Sequence, residues 1–211
     1  MRSKRSRSIA RNDKLQRVAA DLFLKRGYDG VTIDKIVELA GGSKSTVYSE
    51  FGGKCGLFIS SVENLCRDFN EPLAKIDYTG LSLEESLKKL ASHILRLITS
   101  KRAVELHRLA ISEALHCPEV GQAWYIHGPA RTASFIQVLL DERKRELQGI
   151  TVPVERLAVI LHDSLTGDVL YKLLAGVSGP YSDDTLSRIA SEIVDLVLRG
   201  RGKGKKRSKA G

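Results

Sequence analysis

Apolar residues recur every three or four positions along most of the chain, which is the spacing of an amphipathic α-helix. No stretch has the alternation of apolar and polar residues that is typical of a half-buried strand. Asn12 or Asp13 can cap a first helix, and Gly27 ends it. Further helices are predicted over about residues 54–75, 82–97, 103–116, 119–147 with a break at 128–129, 153–175, and from 182 onward. The pattern predicts an all-α fold.

Two short helices joined by a glycine-containing turn are predicted over residues 32–54. Thr32 and Ser43 can cap them, because their side-chain oxygens can accept hydrogen bonds from the amides of the first turn. Gly41 and Gly42 end the first helix, since glycine tolerates the left-handed backbone of helix ends. The inward faces are predicted to be apolar: Ile36, Leu39 and Ala40 in the first helix, Val47 and Phe51 in the second. This arrangement is typical of a helix-turn-helix that reads DNA.

The run from Phe23 to Leu57 resembles the N-terminal domain of the TetR family of transcriptional regulators. The matching elements are GYDGVTI at residues 27–33, the helix ending in Ala40-Gly41, Ser43-Lys44, Thr46-Val47-Tyr48, Phe51 and Lys54. The resemblance implies a three-helix DNA-binding domain over residues 11–71, followed by a larger helical effector-binding and dimerisation domain over residues 72–199. It also implies that the helix beginning near Lys54 connects the two.

Seven side chains are predicted to contact double-stranded DNA: Thr32, Ser43, Lys44, Ser45, Thr46, Tyr48 and Lys54. Most lie at or near the N-terminal end of the second short helix, the part of a recognition helix that enters the major groove. Ser43 could serve only as a cap. Tyr48 and Lys54 are similar to the phosphate-contacting tyrosine and lysine of the family. Their alternatives are a ring packed on the domain and a solvated surface charge.

The stretch from Leu106 to Phe135 looks like the C-terminal domain of a TetR subgroup associated with efflux and stress regulators. The resemblance implies a pocket for a small, apolar or aromatic effector. Its predicted lining residues are His107, Trp124, Tyr125 and Phe135. A lone aromatic residue such as Trp124 is more often part of a core, so that alternative stays open.

The last two predicted helices are apolar over a wide arc. In the resembled family the final two helices of each subunit form a four-helix bundle with those of a second subunit. One recognition helix reads only a few base pairs, whereas a two-fold dimer reads two half-sites. We therefore expect a homodimer through the last two helices, with burial inside one subunit as the alternative.

Basic charge is concentrated at the two ends of the chain. Residues 1–8 carry four basic side chains and residues 200–211 carry six, without an acidic residue, so the net charge of +9 leaves the remainder near −1. A disordered basic arm over residues 1–10 and a disordered basic tail over residues 200–211 are expected. Both would attract DNA phosphates in a salt-sensitive way, unless they are solubilising or targeting segments.

Other chemistry has little support in the sequence. The five histidines form no HxxxH or HExxH pair, and there is no GxSxG, Walker A or GxGxxG motif. We therefore expect no catalysis, no metal and no cofactor. Three cysteines without a CxxC pair, and the lack of a long apolar run or a signal-type apolar segment, favour a reducing cytoplasm.

The function favoured by these observations is a sequence-specific transcriptional repressor, released from a palindromic operator by a small-molecule effector. The alternative is a constitutive or architectural DNA-binding protein without an effector. A helical enzyme that carries an accessory helix-turn-helix ranks third, because no catalytic constellation accompanies the motif.

Overall fold

The computed structural model describes residues 4–147 and 149–199, and these ranges contain ten α-helices, one short 3-10 helix and no strand. The all-α prediction is confirmed. The helices are α1 (Lys4–Arg26), α2 (Ile33–Ala40), α3 (Lys44–Phe51), α4 (Lys54–Ala74), α5 (Leu83–Thr99), α6 (Lys101–Glu113), α7 (Pro118–His127), α8 (Pro129–Glu142), α9 (Val154–Ala175) and α10 (Asp183–Arg199). The 3-10 helix is Lys144–Glu146.

One apolar core joins α1 to α4 with α6 and α7. At its centre the rings of Phe23 and Phe58 lie 4.8 Å apart, and the ring of Tyr28 lies 5.1 Å from that of Phe58. Leu106 and Val120, from α6 and α7, belong to the same buried cluster. Helices α1 and α4, which flank the helix-turn-helix, are therefore packed directly on part of the predicted effector-binding domain.

A second core is formed by α5, α8, α9 and α10. Its residues come from stripes spaced three and four apart, as the sequence predicted: Leu87, Leu90 and Ile94 in α5, Leu157, Leu161 and Leu165 in α9, and Leu186, Ala190 and Val194 in α10. Helix α5 begins with a complete capping box, in which Ser82 and Glu85 satisfy each other's backbone amides. The predicted boundary between residues 71 and 72 stays a prediction.

Two predictions about the N-terminal helices are wrong. Helix α1 begins at Lys4, so residues 4–10 are helical and do not form part of a disordered arm. Neither Asn12 nor Asp13 caps the helix, because both lie inside α1, and the Asn12 side-chain amide instead donates a hydrogen bond of 2.9 Å to Glu50 on α3. Residues 1–3 and the predicted tail at 200–211 lie outside the described residues.

The inward face of α2 also differs from the prediction. Ile36 and Ala40 are buried, but Leu39 is 50% exposed. At about 100° per residue, Leu39 lies well to one side of the line through Ile36 and Ala40. Ile33 lies closer to this line, and Val37 lies on its other side. Those two residues pack partly on the core instead.

Candidate functional site

The helix-turn-helix is held by local interactions that the sequence encodes. The Thr32 hydroxyl accepts a hydrogen bond of 3.2 Å from the Lys35 amide, and the Ser43 hydroxyl accepts one of 3.2 Å from the Thr46 amide. Both predicted caps are confirmed. Between the helices Gly41 has a φ of +77°, which a residue with a side chain rarely adopts. The turn therefore fixes the direction in which α3 leaves α2.

Helix α3 presents a polar surface opposite its buried side. Val47 is fully buried and anchors the helix on the core. Lys44, Ser45 and Tyr48 are exposed and fall within about 100° of arc around the helix axis. Tyr48 is 60% exposed, so most of its ring is available to a partner. Thr46 is half-buried, and its hydroxyl lies 3.1 Å from that of Ser43.

The ammonium group of Lys44 is paired inside the molecule. It lies 2.7 Å from a carboxylate oxygen of Asp34 in the first turn of α2. The hydrogen bond to Asp34, together with its negative charge, raises the pKa of Lys44. Both side chains are more than half exposed, so the pair contributes little to stability but orients the lysine.

Lys54, the first residue of α4, lies just beyond the recognition helix. Its ammonium group is 4.1 Å from the centroid of the Tyr28 ring, which is a cation–π contact. The Tyr28 ring is held in turn by Phe23 and Phe58. The predicted DNA-contacting residues thus occupy the caps of α2 and α3, the outer side of α3 and the start of α4.

A small cavity of about 40 Å³ lies among helices α4 to α9. Two of the four predicted pocket residues, His107 and Trp124, line it. Its remaining walls are mostly apolar. They include Cys66 and Phe69 on α4, Leu97 and Ile98 on α5, Leu106 on α6, and Leu170 on α9.

The other two predicted pocket residues do not line this cavity. Tyr125 is 59% exposed and borders a separate surface depression. A helix turns by about 100° between Trp124 and Tyr125, so the two side chains cannot face the same space. Phe135 packs partly against the core of the C-terminal helices, and the Arg131 guanidinium lies 4.7 Å from its ring centroid.

His107 and Trp124 form a buried hydrogen-bonded pair. The indole Nε1–H donates to Nδ1 of His107 at 2.9 Å, and the two rings are nearly perpendicular. Burial, with a smaller effect of His162, lowers the pKa of His107 to about 4. The imidazole is therefore neutral at pH 7, and because Nδ1 accepts, its proton is on Nε2.

Two polar atoms of cavity-lining residues have no hydrogen-bond partner among the described residues. One is Nε2 of His107, a donor in this tautomer, and the other is Oδ1 of Asn70, an acceptor. The Asn70 amide nitrogen is fixed by the carbonyls of Cys66 and His127, each at 2.8 Å. A buried polar atom without a partner is costly, and such atoms call for an explanation.

Four further polar residues, Asn70, Thr132, His162 and Thr166, line the cavity and were not predicted from the sequence. His162 Nε2 and the Thr132 hydroxyl lie 2.9 Å apart at the cavity wall. One sequence signal could have identified such residues: a polar residue on an otherwise apolar helical face, as for Asn70 one turn after Cys66 on α4.

Residues 4–147 and 149–199 offer no candidate for two other kinds of site. These ranges hold no group of three or more His, Cys, Asp or Glu side chains that could bind a metal ion. None of their helices combines the length and apolarity needed to cross a membrane.

Two family models match the chain. One, described as bacterial regulatory proteins of the tetR family, matches residues 15–60. The other, described as the C-terminal domain of AefR-like transcriptional repressors, matches residues 85–200, which is more than half of the chain. The chain belongs to the TetR family of transcriptional regulators. In this TetR-family protein, residues 15–60 contain the whole helix-turn-helix described above.

Individual relatives agree with this assignment. The HTH-type transcriptional repressor NicS of Pseudomonas putida is 33% identical over 82 residues, which are 39% of each chain. The HTH-type transcriptional regulator YdeS of Bacillus subtilis is 30% identical over 111 residues, covering 52% of this TetR-family regulator and 54% of YdeS. The chain therefore spans about half or less of the length of these curated relatives.

Solved structures extend the likeness to nearly the whole fold. A TetR-family regulator from Mesorhizobium loti is 25% identical, with a TM-score of 0.79, covering 92% of this chain and 98% of that one. The flavonoid-responsive regulator FrrA is 23% identical, with a TM-score of 0.75, covering 90% of this chain and 96% of that one. The helical order of this TetR-family regulator is therefore shared with experimentally determined folds.

Proposed function

We propose that this protein is a homodimeric, effector-responsive repressor that acts in the cytoplasm and leaves a palindromic operator when a small molecule enters the cavity beside His107 and Trp124. The observation that carries the proposal is the position of α4. Its second half contributes Cys66, Phe69 and Asn70 to the cavity, and its first residue is Lys54, next to the recognition helix. Cys66 is about 18 Å along the helix from Lys54, at about 1.5 Å per residue.

The size of the cavity supports coupling between the two ends of α4. A volume of about 40 Å³ has room for only a few water molecules. An effector with several carbon atoms therefore requires the lining side chains to move, and α4 contributes three of them. A ligand shifts a conformational equilibrium only by as much as it prefers one state, and a cavity that must widen provides that preference. Movement of α4 would then change the spacing of the two recognition helices in a dimer.

The lining also suggests the chemical class of the effector. Most of the wall is apolar, while His107 Nε2–H and Asn70 Oδ1 lack partners among the described residues. A hydroxyl group can accept from the first and donate to the second once the cavity has widened. The proposed effector is a small aromatic molecule that carries a hydroxyl group. FrrA, which has the same fold, is named as flavonoid-responsive, and flavonoids belong in the first panel of compounds.

The dimer is proposed on the exposed apolar residues of the last two helices. Leu196 on α10 and Tyr171 on α9 are 74% and 72% exposed, and Ile189 and Ile193 on α10 are only half-buried. Residues of this kind are costly to leave in water, whereas a second α9–α10 pair would bury them in a four-helix bundle.

Effector entry can be measured without knowing the operator. Trp124 is the single tryptophan of the chain and lines the cavity, so its fluorescence reports on that site alone. We expect phenol to change Trp124 fluorescence at lower concentration than toluene, which has the same shape without the hydroxyl. Leaving a buried donor or acceptor unpaired costs about 1–3 kcal/mol, so the preference should be about tenfold.

Two variants distinguish binding in the cavity from binding at the protein surface. Asn70→Leu should reduce the preference for phenol over toluene, because a leucine side chain offers no acceptor and only the His107 donor remains for the hydroxyl. Tyr125→Phe is the matched control, because Tyr125 lies outside the cavity, and it should preserve the preference. Equal responses to phenol and toluene in the wild type would refute the proposed effector class.

The operator itself can be found by selecting bound duplexes from random DNA at two salt concentrations. A palindromic consensus that persists at the higher salt, and whose binding is weakened by a compound that changes Trp124 fluorescence, supports the proposal. A consensus that no cavity ligand affects would favour the constitutive alternative. Binding without a consensus, lost at higher salt, would favour an architectural protein.

A further inference from the structure

Two cysteines from distant parts of the sequence meet at the junction of α4 and α7. Cys55 lies in the first turn of α4, and Cys117 is the residue that precedes α7. Their sulfur atoms are 2.8 Å apart although 62 positions separate them in the chain. A disulfide bond is about 2.05 Å long, so little movement is needed to form one. Both residues are partly exposed, which gives an oxidant access to them.

We propose that Cys55 and Cys117 are an oxidation site, which a hydroperoxide closes to a disulfide that ties the first turn of α4 to the start of α7. Nothing in the proposed effector response requires this site. The third cysteine, Cys66, has a different environment: it is 2% exposed, belongs to the apolar core, and has its pKa raised to about 12 by burial.

The reaction has two balanced steps. The Cys55 thiolate attacks one oxygen of hydrogen peroxide, the O–O bond breaks, and the products after protonation are a sulfenic acid and water. The Cys117 sulfur then attacks the sulfenic sulfur, an S–S bond forms, and the hydroxide that leaves takes the Cys117 proton and departs as water. In total two thiols lose two electrons and two protons, and one peroxide becomes two waters.

The surroundings of each sulfur assign the roles. Reactive thiolates are commonly found at helix N-termini, which is the position of Cys55 on α4. Burial, and next the hydrogen bond with Cys55, raise the pKa of Cys117 and favour its thiol form, which suits the residue that resolves the sulfenic acid. A carboxylate oxygen of Glu119 lies 3.5 Å from the Cys117 sulfur and disfavours a second negative charge there.

The place of the disulfide defines its effect. Cys55 follows Lys54, which lies at the end of the helix-turn-helix, and Cys117 leads into the helix that carries Trp124. A covalent bond between these points prevents the start of α7 from separating from α4. Local opening of both helix starts should then become rarer.

The experiment uses the full-length, reduced protein treated with hydrogen peroxide. We expect the intact mass to fall by two hydrogen atoms, and peptide mapping without reductant to recover a 55–117 cross-link that a thiol reductant reverses. Cys66→Ala, which keeps both proposed cysteines, should give the same product. Cys55→Ser and Cys117→Ser should give none. Hydrogen exchange of the Leu57 and Val120 amides, which are hydrogen-bonded at the starts of α4 and α7, should slow at least about tenfold in the oxidised wild type.

Several results would overturn the inference. A cross-link between two chains, one that includes Cys66, or conversion to sulfinic acid without a disulfide would remove the oxidation site. A 55–117 disulfide that leaves the exchange of α4 and α7 unchanged would remove its restraining effect. The two single serine variants check each other, because both must fail to cross-link while keeping the helical circular dichroism of the wild type.

Discussion

Replacing His107 by glutamine should reduce the loss in free energy of unfolding that accompanies a fall in pH below about 6.5. In the unfolded chain the His107 imidazole takes up a proton near its ordinary pKa of about 6.5. In the folded protein burial lowers that pKa to about 4. Between these values unfolding is accompanied by proton uptake, so the free energy of unfolding rises with pH across this window. The contribution is complete above about pH 6.5 and is lost as the pH falls toward 4.

The magnitude follows from the distance between the two pKa values. A difference of about 2.5 pH units at about 1.36 kcal/mol per unit is about 3 kcal/mol. Glutamine does not titrate in this range, and its side-chain oxygen can still accept the hydrogen bond from the Trp124 indole. The variant should therefore lose about 3 kcal/mol less than the wild type between pH 6.5 and pH 4.

The measurement is urea unfolding followed by far-ultraviolet circular dichroism, at steps between pH 4 and pH 8. Protein concentration must be constant, since a dimer's apparent stability depends on it. The difference between the wild-type and His107→Gln curves isolates the His107 contribution from the other titrating groups. His116→Gln, at an exposed position, controls for the loss of a histidine as such. Parallel curves for wild type and His107→Gln would refute the reasoning.

Three further predictions concern DNA binding and assembly. Lys54→Ala should weaken binding to every duplex and reduce the salt slope by about one, as expected for one lost phosphate contact, and an unchanged slope would count against that contact. Lys44→Ala should in addition alter the consensus selected from random DNA. Leu196→Glu should shift sedimentation from dimer to monomer, whereas Leu115→Glu, at a position that is 89% exposed outside the last two helices, should leave the dimer intact.

Local features of the fold could be predicted because short-range interactions determine them. The hydroxyls of Thr32 and Ser43 accept the capping hydrogen bonds that the sequence suggested, and the hydroxyls of Ser82 and Ser182 accept equivalent bonds where two further helices were predicted to begin. The break between α7 and α8 occurs at the Gly-Pro pair, where a proline cannot continue a helix that precedes it. Each of these depends on residues within one or two turns of each other.

Features that depend on packing between distant helices could not be read from the chain. The cavity takes its walls from six helices, and of the adjacent residues Trp124 and Tyr125, both predicted from the sequence to line a pocket, only Trp124 borders it. Asn70 and His162 become neighbours of the cavity only after α4 and α9 have packed on α6 to α8. The contact between Cys55 and Cys117 likewise requires α7 to dock on α4. Hydrophobic periodicity gives the buried side of each helix, but not which helices meet there.

The ion pair between Lys44 and Asp34 has a consequence for how a repressor of this kind finds its target. If Lys44 contacts DNA as predicted, it must exchange the Asp34 carboxylate for a new partner, and Asp34 is then left near phosphates of the same charge. DNA binding gains only the difference in free energy between the contact of Lys44 with DNA and its contact with Asp34. Sequences other than the operator are therefore bound only weakly through Lys44. Time spent on each wrong site is correspondingly short. We therefore expect the acidic residue beside α3 to shorten the time spent on non-specific DNA, at the expense of general affinity.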